Sequence, residues 1–160
     1  DLAGDDQSQG FGSDLGDQRG MIMTEIHNIF DIAGRAMGAQ LTRLNTVASN
    51  IANAQSVAST EDAAFRAIKP VFATQYASNF RNTGIATVDV VGLSEVDIAP
   101  KKIFQPDHPK ANEDGFIFAA AVNTDEELVE MLEASRQYEN NLEVVSTLRS
   151  LMARTVNMGR

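Results

Sequence analysis

Few residues in this chain are equipped for chemistry, and their spacing argues against catalysis. Its only histidines are His27 and His108. His108 lies in Gln105-Pro106-Asp107-His108-Pro109, which reads as a rigid exposed loop, and its expected role there is to bond local backbone. Asp5-Asp6 and Asp125-Glu126-Glu127 are the acid groups that a metal could use. The first sits in a Gly/Asp-rich tail, and the second suits a helix N-terminus, where Thr124 and Glu127 have the spacing of a capping box. Neither Gly-x-Ser-x-Gly nor Gly-x-x-x-x-Gly-Lys occurs, and Gly10-Phe11-Gly12 lacks the strand-to-helix context of a phosphate loop. The chain has no cysteine, which excludes a thiolate zinc site, a cysteine nucleophile and a disulfide framework. The residues therefore predict no catalytic site, no metal and no cofactor.

Composition narrows the partners. The net charge of −9 repels phosphate backbones and anionic lipid, so neither nucleic acid nor direct lipid binding is expected. No apolar run reaches the roughly 18 residues of a membrane span, and the first twenty residues show no secretory signal peptide. At 160 residues one domain is the prior. Aromatic residues are only 6% of the chain and Trp is absent, so the apolar content is mainly Ala, Val, Ile, Leu and Met, which suit helix–helix seams.

Four segments separate. Residues 1–22 are rich in Gly and Asp and read as a flexible or arm-like extension, or as sequence upstream of a start at Met21 or Met23. Residues 23–57 read as a helix. Within it Ile29, Ala33, Ala36, Gln40, Leu44, Val47, Ile51 and Ala54 recur at spacings of three and four, a heptad-like seam. Residues 58–122 change period. The stretches 65–72 and 84–91 show β-branched alternation, with turns at Gly92, Pro100, Pro106, Pro109 and Gly115 and a short strand at 116–118. Residues 123–160 return to helix, with Leu128, Met131, Ser135, Tyr138, Leu142, Val145, Arg149, Met152 and Val156 at three and four and Gly159 placed as a C-cap.

The fold class expected is mainly α with a small β insertion, the long N- and C-terminal helices pairing as a coiled coil. Their seams can be buried within one subunit or against neighbours, and periodicity does not choose. Asn50 and Asn53, one turn apart on one face, are candidates for bonds that fix the register of that seam, as a buried Asn does in coiled coils. The candidate subunit-interface residues are Ile29, Leu44, Val47, Asn50, Ile51 and Asn53 on the first helix. On the second they are Leu128, Met131, Tyr138, Leu142, Val145 and Met152.

Several motifs carry a family resemblance. Ala48-Ser49-Asn50-Ile51-Ala52-Asn53-Ala54 resembles the Asn-Leu-Ala-Asn signature of flagellar rod and hook proteins, with Asn28-Ile29-Phe30-Asp31-Ile32-Ala33-Gly34 upstream and Phe65-Arg66 downstream. Gln105-Pro106-Asp107-His108-Pro109-Lys110-Ala111-Asn112 and Gly115-Phe116-Ile117 resemble the Pro-x-His-Pro stretch of proximal-rod members of the flagella basal body rod protein family. Residues 130–141 and 157–160 are similar to that group's C-terminal helix. Ala120-Ala121 stands where the family usually shows Pro-Asn, and the first twenty-odd residues have no counterpart in it.

The resemblance implies a structural subunit of the proximal rod, exported through the flagellar type III apparatus without cleavage of a signal peptide. Its partners would be copies of itself, other rod subunits, the membrane-ring base and the export apparatus. In the periplasm-spanning rod of the basal body it would form the tube wall that transmits torque to the hook and encloses the export channel. The alternative from another class is a secreted adaptor or export-chaperone-like helical binding module, against which the β insertion between two seams argues.

Overall fold

In a computed structural model, described over residues 11–76 and 86–158, two long helices enclose a β-rich segment. Helix α1 spans Phe11–Asn53 and helix α2 spans Thr124–Met158. Between them lie β1 (Val57–Ala58), β2 (Ile68–Tyr76), β3 (Ala86–Glu95), β4 (Lys101–Phe104) and β5 (Phe116–Ala119). Helix α1 begins at Phe11, so residues 11–22, read from composition as an extension, continue the helix instead. Once a packed segment has nucleated a helix, each further residue costs little, and no proline interrupts the run. The remainder of the expected arm, residues 1–10, lies outside the described residues, as do Gly84, Ile85 and Gly159.

The start of α2 differs in detail from the expected capping box. Asn123 caps it: Asp125 N–H donates to Asn123 Oδ1 at 3.2 Å and Glu127 N–H to the Asn123 carbonyl at 3.1 Å. Asn123 and Thr124 are both good caps, and the chain uses the earlier one. Glu127 is thereby released from capping and turns inward, where it is 4% exposed.

The strands form two small antiparallel sheets. One has the order β1-β5-β4 and the other is the β2–β3 hairpin, which carries a register shift at Val71/Phe72. Between β4 and β5 the proline loop closes on itself as expected. Lys110 N–H donates to His108 Nδ1 at 3.0 Å, and Asn112 Oδ1 accepts from Asp114 and Phe116. Gly115 completes this turn with φ of 76°, and a Cβ there would lie 3.0 Å from the Phe104 ring, so the position requires glycine. The hairpin lies along α1, where Arg35 bridges to Asp89 at 3.2 Å.

Little apolar volume is enclosed. Seven hydrophobic residues are buried among those described, and five of them are alanine: Ala33, Ala39, Ala64, Ala67 and Ala134, with Val47 and Ile117. The largest fully buried side chain is polar, Asn50. Larger apolar side chains such as Leu132, Leu142, Leu151 and Val156 remain at least half exposed. The chain thus spends its small residues inside and leaves its large ones outside.

Candidate subunit interface

Helices α1 and α2 run antiparallel, and polar bonds mark their alignment. Asn50 near the end of α1 meets Glu127 in the first turn of α2, Arg43 meets Glu130, and Gln40 meets Gln137. Partner numbers fall along one helix as they rise along the other. The distance from Gln40 Nε2 to Gln137 Oε1 is 2.8 Å, and Gln137 in turn donates to Glu133 at 3.0 Å. Arg43 donates to Glu130 through both Nε and a terminal nitrogen, a charge-assisted pair. Near the far end Met152 shares a shallow hollow with Ile26 and Phe30.

Asn50 ties three elements together. Its Oδ1 accepts from Ile68 N–H at 2.9 Å, and its Nδ2 donates to the Ile68 carbonyl at 2.8 Å and to Glu127 Oε2 at 3.0 Å. The end of α1, the start of β2 and the start of α2 therefore meet on one amide. Just beside it, Ala121 bonds to the backbone of Phe65 and Ala67, which draws the connection into α2 over the same junction. A carboxamide suits this position, since its separate oxygen and nitrogen can accept from and donate to one peptide unit at the same time.

The expected interface residues fall into three environments. Val47 and Asn50 are buried within the subunit at 4% and 1% exposure. Leu44, Ile51, Asn53, Met131, Tyr138, Val145 and Met152 are half-buried. Ile29, Leu128 and Leu142 stand exposed on the flanks. Asn53 donates to the Ser49 carbonyl of its own helix at 2.8 Å, and that is its side-chain bond in the subunit.

Along α2 the positions withdrawn from solvent are Glu127, Glu130, Met131, Ala134, Ser135, Gln137, Tyr138, Asn141, Val145, Leu148 and Met152. They share Met131, Ser135, Tyr138, Val145 and Met152 with the sequence seam. The alternate positions are shifted by one residue, so Leu128 and Leu142 lie beside the intramolecular seam. Sequence reasoning missed Glu127, Glu130, Arg43 and Gln137 as seam residues because it followed apolar side chains. The available signal was the polar set at helical spacing: Glu127, Glu130, Ala134 and Gln137 follow one another at three, four and three.

No group of three or more His, Cys, Asp or Glu able to hold a metal occurs among the described residues. No described helix is long and apolar enough to cross a membrane. What the chain presents is a polar-laddered helix pair with apolar flanks.

Known proteins share this chain's sequence at both helices. The family model for flagella basal body rod proteins matches residues 30–57, and that for the C-terminal part of flagellar basal body rod FlgEFG proteins matches residues 113–158. The chain is 38% identical to the flagellar basal-body rod protein FlgC of Escherichia coli O6:H1, over 83% of this chain and 97% of that protein. It is 37% identical to FlgC of Salmonella typhimurium, with the same coverage. With FlgC of Aquifex aeolicus it shares 35% identity, over 83% of this chain and 96% of the relative.

Proposed function

The chain belongs to the FlgC family of flagellar basal-body rod proteins, a structural rod subunit and not an enzyme, and from that premise we propose how it is built into the rod. It is a proximal-rod subunit whose α1–α2 pair, a coiled coil in packing, stands in the wall of a tube. The wall carries torque from motor to hook and encloses the export channel. The observation that carries this reading is the division of α2 into a covered seam and uncovered apolar flanks. A helix of 35 residues that leaves Val129 and Leu132 more than 60% exposed needs neighbours to cover them.

In the tube, Ile29, Leu128 and Leu142 face adjacent subunits. Leu44, Val47, Asn50, Ile51, Asn53, Met131, Tyr138, Val145 and Met152 hold the helix pair in the shape those neighbours meet. Copies of the chain, other rod subunits and the membrane-ring base are the partners. The subunit reaches them through the type III export apparatus without a cleaved signal, crossing to the periplasm-spanning rod as unfolded chain. The thin alanine core supports this, because small side chains bury little area and leave little stability to undo.

Deletion and tagging test the reading. Cells lacking the chain should form membrane rings without hooks and should not swim, and a tagged copy should restore both and co-purify with basal bodies. Hooks and swimming in the deletion strain, with the tagged chain absent from basal bodies, would overturn it.

A further inference from the structure

Glu127 carries a charge that its own subunit leaves unanswered. Its side chain is 4% exposed and has one described partner, the Asn50 amide, which donates to Oε2 at 3.0 Å. The other oxygen, Oε1, accepts no hydrogen bond from a described residue, and the carboxylate forms no ion pair among them. A carboxylate taken out of water without a cation is among the least favourable groups a fold can hold. The junction needs only an acceptor for Asn50, which a neutral glutamine would also supply. Nor does the helix end require the burial. Asp125 and Glu126 stand exposed in the same first turn and complement the helix dipole from there.

The carboxylate lines a hollow of about 330 Å³ between α1, β2 and α2. Val47, Ile68, Pro70 and Phe72 form its apolar wall. Glu130, one turn along α2, lines the same space. Arg43 bonds Glu130 through Oε2 alone, so Oε1 of Glu130 also has no described partner. Lys69 stands on the exposed rim and pairs with no described acid. Two acceptor oxygens without donors therefore share one space with an aromatic ring and aliphatic walls. The volume is at the small end of ligand pockets, where one inserted side chain fits.

We infer that this hollow receives an arginine side chain from an adjoining rod subunit. A guanidinium presents five N–H donors in a planar fork, enough to serve both free oxygens. Its flat face stacks on an aromatic ring such as Phe72, and its aliphatic stem suits the apolar wall. It is also more weakly hydrated than an ammonium, which favours arginine over lysine in a half-enclosed site. The site is on the far side of α2 from exposed Leu132, which lies two residues and so about 200° around the helix from Glu130. The inference rests on the rod reading, because an assembled neighbour is what brings a second chain to this face. Glu127 is then unfavourable in the lone subunit and favourable in the wall, where docking supplies its countercharge.

Glu127→Gln separates the fold from the assembly. The glutamine oxygen keeps the Asn50 bond while the charge is removed. The purified variant should melt no lower than the wild-type chain. As the sole copy in cells it should give at least about tenfold fewer hooked basal bodies, the scale expected when one partner of a buried charge pair is lost. A lower melting temperature, or a wild-type number of hooks, overturns the proposal. A second measurement leaves both glutamates intact. With p-benzoylphenylalanine in place of Lys69, purified basal bodies are irradiated and the adducts mapped by mass spectrometry. The expected adduct joins another rod subunit within a few residues of an arginine. Changing that arginine to glutamine should lower hook numbers as Glu127→Gln does, and combining the two changes should be no worse than either alone, since both remove one contact. Additive losses overturn the proposal. So does a chain that is present in basal bodies but gives no such adduct, or one only where no arginine is near; the rod reading then still stands. Absence of the chain from wild-type basal bodies would sink the rod reading itself.

Discussion

Exchanging Asn50 for Asp should unfold the junction between the two helices, with an effect larger than that of Asn50→Ala. Alanine removes three hydrogen bonds and strands the Ile68 peptide unit and Glu127, at about 1–3 kcal/mol for each buried group left unpaired. Aspartate does this and more. It replaces the Nδ2 donor with an oxygen that faces the Ile68 carbonyl and the Glu127 carboxylate, so an acceptor meets two acceptors in a site 1% exposed. Chemical denaturation of the purified chain, followed by far-ultraviolet circular dichroism, reads the loss. Adding Glu127→Gln should recover part of it, because the glutamine amide can donate to the introduced carboxylate. Asn50→Asp no more harmful than Asn50→Ala, or no recovery in the double variant, would remove the junction from the account.

Leu142→Asp should do the opposite, sparing the fold and stopping assembly. Leu142 is 50% exposed in the subunit, so a polar replacement there belongs with surface changes of about 0.5 kcal/mol or less. In the wall the same carboxylate is buried against a neighbour without a partner, at several kcal/mol per contact repeated through the tube. The thermal melt of the purified chain should be nearly unchanged while swimming and hook formation are lost. Leu44→Asp gives the contrast, since half-buried Leu44 already packs within the subunit and its variant should lose both stability and motility. Normal swimming with Leu142→Asp would place that flank outside any interface.

The two helices and the β segment between them were legible because their periods differ, three-and-four against two. The phase of the α2 seam was less so, for a physical reason. Apolar residues mark every face that something eventually covers, and the subunit covers only one of them. Leu128 and Leu142 therefore drew the sequence seam to one side, while Glu127 and Asn141 are polar and were passed over although the fold withdraws them from solvent. Asn50 was recognised as a bonding residue, yet its partners include the peptide unit of Ile68, eighteen positions on, which no helical spacing reveals. The start of α1 was hidden by composition, since Gly and Asp disfavour an isolated helix and say nothing about one extended from a packed segment.

The central claim is that α1 and α2 of this chain stand as an antiparallel pair in the rod wall, with the outer face of α2 against the neighbouring subunit. A cryo-electron microscopy map of the intact basal body tests it most directly. The account predicts paired helical density in the wall that fits Phe11–Asn53 and Thr124–Met158, with Leu132 and Leu142 at contacts between subunits. A rod wall built without this chain, or one in which the outer face of α2 lines open solvent, would contradict it.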